Sequence, residues 1–182
     1  MRRVVASGLL VGLLALTACG ADDPKLERAE PRQWAKKVCG AIGPMSKELT
    51  ELQQSVSTTI DQAADVDTKK RELVTLFTEG EKLTNEALRE VERAGVPDVD
   101  NGRVIADSFV KALISTRDSF EQGRLAIEKL PTDDSTQFDS GVVTAFEDMS
   151  EKNNESTSAF AEVKAPELDQ AFSELPECNS PR

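Results

Sequence analysis

The side chains able to do chemistry in this chain are carboxylates, hydroxyls, amines and three thiols, because the sequence contains no histidine. That removes imidazole bases, the Ser–His and Cys–His nucleophile pairs, and every His-ligated metal site. Carboxylates are plentiful: 33 Asp and Glu stand against 22 Lys and Arg, for a formal charge of −11. Most of them, such as Glu79, Glu81, Glu86, Glu90 and Glu92, fall off the apolar stripes traced below and read as a solvated face. A di-iron bundle needs inward Glu residues together with Glu-x-x-His, which this chain does not have. Asp98-Val99-Asp100-Asn101-Gly102 has the composition of a calcium loop but not its spacing. Counted from Asp98, Gly stands at position 5 instead of 6, and position 12 is Phe109 instead of Glu. It reads as a helix-connecting turn with an N-cap, as do Asp133 and Asp134. No Gly-x-Ser-x-Gly elbow and no phosphate loop occur. The basic footprint of a nucleic-acid binder is missing as well. The expectation is a protein that is not an enzyme, with no metal, no cofactor and no nucleic-acid partner.

Cys19 stands at the end of an informative stretch. Arg2 and Arg3 precede an apolar run from Val4 to Leu16, broken only by Ser7, Gly8 and Gly12. The run is short for a transmembrane helix and is laid out like an export signal. It closes in Leu16-Thr17-Ala18-Cys19-Gly20, which resembles the lipobox of bacterial lipoproteins: an aliphatic residue, two small ones, then Cys. The resemblance implies that residues 1–18 are a signal peptide and that Cys19 is lipidated and begins the mature chain. The protein is then held at the extracytoplasmic face of the cell membrane. More than one acyl chain on Cys19 gives stable attachment without a spanning helix. Losing Arg2 and Arg3 makes the remainder more acidic still, so anionic headgroups repel the domain and the lipid alone holds it. Residues 19–30 read as the lipidated Cys and a flexible tether; about eleven residues reach on the order of 18 Å. With Cys19 accounted for, Cys39 and Cys178 remain, one near each end of the mature domain in an oxidising compartment. They are expected to form a disulfide closing about 139 residues, contributing at most roughly 5 kcal/mol.

The elements that must carry these residues read as helices throughout. Trp34, Val38, Ile42, Met45, Leu49, Leu52, Val56 and Ile60 step by three and four along one face. The stripe keeps its phase across Pro44, predicting one long kinked helix, with Pro31 in its first turn. Asp67 or Thr68 is expected to cap a second helix, striped from Leu73 through Leu76, Phe77 and Leu88 to Val91. Ala94-Gly95-Val96-Pro97 stops it, with Gly at C′. A third helix starts near Asn101 and carries Ile105, Phe109, Leu113, Phe120 and Ile127. Pro131 to Asp134 end it and cap a fourth, which carries Phe138, Val142, Ala145, Phe146, Met149, Phe160 and Val163. Pro166 breaks the fourth, leaving a short C-terminal helical turn. No strand signal and no internal repeat is present. The prediction is an all-α, up-down-up-down four-helix bundle over residues 31–182. Independently of the helix assignment, that topology brings Cys39 and Cys178 to the same pole.

Gly80, Thr116, Gly123, Asn153 and Ser156 occupy stripe positions where large apolar residues are expected. With antiparallel neighbours, Gly80, Thr116 and Asn153 fall at similar heights. The layer reads either as the lining of a small polar-edged ligand cavity or, more simply, as small residues allowing close helix packing with a buried Asn fixing register. Trp34 reads as core at the disulfide-bearing pole. The mature region also resembles small secreted lipoproteins of actinobacteria. In those, a Trp-then-Cys start is like Trp34…Val38-Cys39, and an Ala-Gly-x-Pro turn is like Ala94-Gly95-Val96-Pro97. This implies a fold and a location, and no catalytic residues to carry over. The leading expectation for function is a membrane-anchored, non-catalytic interaction or structural module at the cell envelope, with an envelope protein as partner. The alternative is a carrier or sensor of a small apolar ligand held between helices.

Overall fold

The computed structural model describes residues 28–158 and 165–178, and the side chains of all of these except 153–158. The signal segment, Cys19 and the tether up to residue 27 lie outside the described residues. Helix α1 spans Pro31–Gln62. Glu30 caps it, its carboxylate accepting from Arg32 N at 3.1 Å and Gln33 N at 3.0 Å, and Pro31 occupies the first turn, where its missing N–H leaves nothing unpaired. Pro44 lies inside α1, and the helix continues through it as one element. Helix α2 spans Val66–Arg93, α3 Gly102–Lys129, α4 Ser135–Ser158 and α5 Pro166–Glu174, followed by a 3₁₀ turn, Pro176–Cys178. The four long helices pack in sequence, α1 on α2, α2 on α3 and α3 on α4, through short connections, as an up-down-up-down bundle requires. The short helix and its 3₁₀ turn lie on α1.

Three local expectations are corrected. The cap of α2 is Asp65, two residues before Asp67: its carboxylate accepts from Thr68 N at 2.7 Å and Thr68 Oγ1 at 3.0 Å. Asp67 sits instead in the first turn, where a carboxylate complements the helix dipole. The chain also has strands, though minimal ones. β1, Arg28–Ala29, pairs in parallel with β2, Val96–Pro97, in the register Arg28 to Val96 and Ala29 to Pro97. Asp98 N extends the pairing by donating to Ala29 O at 2.8 Å. Two residues are too few to leave a periodic signal in the sequence. The end of the stretch read as tether, residues 28–30, is therefore tied to the domain by a strand and a cap. Third, the turn at 98–101 precedes α3 as expected, but Asn101, at φ 58°, makes no side-chain cap bond; it sits in the left-handed region that Asn tolerates. At the other junctions the reading holds: Gly95 stands at C′ of α2 with φ 77°, and Asp134 caps α4 through Gln137 N at 3.0 Å.

The core divides along the bundle axis into two large parts, with a small third cluster of Ala35, Ala171 and Leu175 between α1 and α5. One part surrounds fully buried Trp34 with Val38, Leu88, Val91, Ile105, Leu113 and Leu168. Here Phe109 of α3 meets the Trp34 ring edge-on at 5.3 Å and stacks with Phe172 of α5 at 6.0 Å. Trp34 Nε1 donates to Gly95 O at 2.9 Å, so its one polar atom is satisfied inside. The other part gathers Val56, Leu73, Leu76, Phe77, Phe120, Ile127 and Phe138.

Candidate functional site

Cys39 and Cys178 form the expected disulfide, with Cα atoms 5.0 Å apart and 139 residues between them. It fastens the 3₁₀ turn to α1. Arg32–Glu174 at 2.5 Å and Lys36–Glu177 at 3.5 Å bracket the same contact on the surface. Glu174 is held below the usual 4.5 of a glutamate, first by the Gln170 amide and then by the Arg32 guanidinium. Glu177 is also held down, first by its own backbone N–H and further by Lys36.

The layer of small residues does not open a cavity where its described members lie. A methyl added to Gly80 would meet Cε1 of the Phe120 ring at 2.5 Å, and one added to Gly123 would overlap the Phe77 ring. Each glycine of the α2–α3 seam is thus the seat for a phenylalanine of the facing helix. The two rings meet edge-on with centroids 6.3 Å apart. The ligand-cavity reading is corrected for these two positions: the space that a side chain would take is already filled. Thr116 is half-buried on α3. Asn153 and Ser156 are helical, and their side chains lie outside the described residues. Two hydroxyls buried near this seam are satisfied within their own helices, Thr84 on Gly80 O and Ser119 on Ser115 O, both at 2.8 Å.

The open space lies elsewhere. Among the described residues α4 packs on α3, while direct approach of α4 to α1 is sparse. Between them runs a groove of about 490 Å³ floored by α2. Val56 and Ile60 of α1, Leu73 and Leu76 of α2, and Phe138, Val142, Val143 and Phe146 of α4 supply its apolar wall; Gln53, Ser57, Lys69 and Asp139 supply polar edges. Val143, at the rim of the groove, is 56% exposed. Three helix ends set the polarity of the groove. Lys69 lies in the first turn of α2, Asp139 at the start of α4 and Ile60 in the last turn of α1, so all three mark its outer end. Gln53, Leu76 and Phe146 mark the end toward mid-bundle. Lys69 is half-buried, and its Nζ has no hydrogen-bond or ion-pair partner among the described residues. Neighbouring Lys70, by contrast, donates to Leu130 O at 2.7 Å. A second depression of about 360 Å³ between α1 and α2, beside Gly40 and Pro44, is rimmed by Glu48, Glu86, Glu90, Arg89 and Arg93.

The groove was not read from the sequence. A signal for it exists: α4 carries adjacent Val142 and Val143, which cannot both face one stripe, and α1 has no charged residue between Gln53 and Ile60. Nucleophile chemistry gains no support from geometry. Ser108 and Lys111 have the spacing of a Ser–Lys pair, but Ser108 Oγ donates to Val104 O at 2.8 Å and Lys111 is exposed. Among the described residues no group of three or more His, Cys, Asp or Glu is placed to hold a metal ion, and no helix is long and apolar enough to cross a membrane. Compared with known proteins, the chain matches no protein-family model, no curated protein and no solved structure.

Proposed function

We propose that this protein is a lipid-anchored extracytoplasmic module that binds and does not catalyse, with the α1–α2–α4 groove as its binding surface. The anchor rests on the ordered leader: Arg2-Arg3, the apolar run, and Leu16-Thr17-Ala18-Cys19. Binding rests on the groove. Its volume falls within the range of about 300–1,000 Å³ usual for small-molecule sites, and its walls are apolar with few polar groups. Of the two kinds of occupant, an envelope protein or a small apolar ligand, the groove favours the second. A stable protein interface takes about 20–30 residues a side, far more than line this groove.

Two measurements test the reading. Cells given an alkyne-tagged palmitate should label the wild-type chain and recover it in the membrane fraction; Cys19→Ser should lose both label and membrane recovery. A wild-type chain that stays unlabelled and soluble refutes the anchor. Native against denatured mass spectra of the purified protein should show extra mass lost on denaturation. A bare native mass, with no added amphiphile able to bind, refutes the ligand reading and returns the protein-partner reading to the front.

A further inference from the structure

We infer that the α1–α2–α4 groove takes a single-chain anionic amphiphile, its carboxylate on Lys69 and its tail lying along Val142 toward Phe146. This rests on the binding reading above and adds the ligand class and its orientation. The charge argument starts from Lys69. The residue is half-buried, edges an apolar groove, and its ammonium has no partner among the described residues. A charge in that position gains more from a counter-charge than one in full solvent. Asp139 edges the same end but is exposed, so water already satisfies it. Helices α2 and α4 both begin at this end, at Val66 and Ser135, but Asp65 and Asp134 already cap them, so Lys69 is the group left to meet a negative head. Inward from there the walls lose charge, and the path from Ile60 to Gln53 runs about 10 Å along α1. That length and lining suit an alkyl tail of moderate length and leave no paired polar groups for a sugar or nucleotide.

The lipid expected on Cys19 is a poor occupant. It carries no free carboxylate, and the strand that follows it, β1, enters the fold beside Pro31, about 44 Å along α1 from Ile60. A second copy of this chain is disfavoured by the charge of −11 on each.

Isothermal titration with decanoate, decanol and decylamine tests the assignment on the full chain carrying Cys19→Ser, which changes no described residue. Decanoate should bind, Lys69→Gln should weaken it about tenfold, and decanol should bind both proteins alike. Equal decanoate affinity in wild type and Lys69→Gln overturns the head-group assignment. So does a preference for decylamine that Asp139→Asn abolishes. Either result leaves the groove as a binding site. Val142→Trp, which fills the groove, should abolish decanoate binding with the helical circular dichroism intact. Should that variant fail to fold, Val143→Asp at the exposed rim serves instead. Decanoate binding that survives the plug moves the site and overturns the proposal. If none of the three amphiphiles binds, the proposal and the small-ligand reading fall together.

Discussion

At one end of the bundle α5 lies on α1, and Trp34 beneath it is fully buried; at the other, α4 stands off from α1 and Val143 is more than half exposed. Both ends begin with the same materials: amphipathic helices, a phenylalanine-rich core, and acidic outer faces. They differ in what closes the seam beside α1. At the Trp34 end a fifth helix and its 3₁₀ turn do so and are fastened four times, by a disulfide, two surface ion pairs and the Phe172 ring. At the Phe77 end the described residues supply no such element, and the groove is what remains. On the mid-bundle side of that second end runs the stretch of the α2–α3 seam where each glycine seats the facing helix's phenylalanine. That seam holds the middle of the bundle whether or not the ends are closed.

Three variants and a pH series test this contrast. Breaking the disulfide by Cys39→Ser with Cys178→Ser should cost about 4 kcal/mol in urea unfolding, because a long loop is released in the unfolded chain. Hydrogen exchange should localise the loosening to α5 and the first turns of α1, with α2–α3 amides still protected. Loss of protection spread evenly over all helices would show the ends to be one cooperative unit and erase the distinction. Next in size is Gly123→Ala. The added methyl overlaps the Phe77 ring, a wall that cannot yield without displacing Phe120 and Phe146, so about 2 kcal/mol should be lost even though Ala is the better helix former. A stability unchanged or raised would show that this seam is looser than its geometry implies.

The large features were legible in the sequence because each has a period. Four stripes stepping by three and four gave the helices, Gly95 and Pro97 gave the break after α2, and two cysteines near the ends of the domain gave the disulfide. The strands were invisible, since Arg28–Ala29 and Val96–Pro97 are too short to alternate. The cap at Asp65 was displaced by two residues because Asp65, Asp67 and Thr68 are all good cap residues, and only the backbone geometry chooses among them. The glycines were noticed but their partners were not. A stripe shows which face a residue occupies, not which side chain of the next helix arrives opposite it. The groove escaped for the same reason. A bundle drawn from stripes alone is closed by assumption, and whether α4 reaches α1 depends on packing between helices far apart in the chain.

Trp34→Phe isolates a smaller term at the closed end. Phenylalanine keeps a ring against Phe109 but cannot donate to Gly95 O, leaving a carbonyl beside the core without its partner. The expected loss is about 1.5 kcal/mol in the urea midpoint with an unchanged slope. A loss of less than a third of that would mean that water replaces the indole at Gly95 and that this end is less dry than its burial suggests.

Acid should reach the two ends in a fixed order. Glu174 and Glu177 at the closed end are held below the ordinary 4.5, and Asp65 near the groove is held below 3.8, chiefly by the Thr68 backbone N–H. A carboxylate whose folded value is depressed adds stability above its ordinary value and loses it as pH falls toward the folded one. The contributions of Glu174 and Glu177 therefore begin to fade near 4.5, and that of Asp65 only near 3.8. Glu174 and Asp65 face solvent, so their effects are small and weaken with salt. Thermal midpoints of wild type and Glu174→Gln should converge as pH drops through 4.5 toward 3.8, while Asp65→Asn keeps its full deficit over that interval. If the Asp65→Asn difference closes first, the ion pairs over α5 contribute less than the helix cap, and the covalent link alone keeps that end shut.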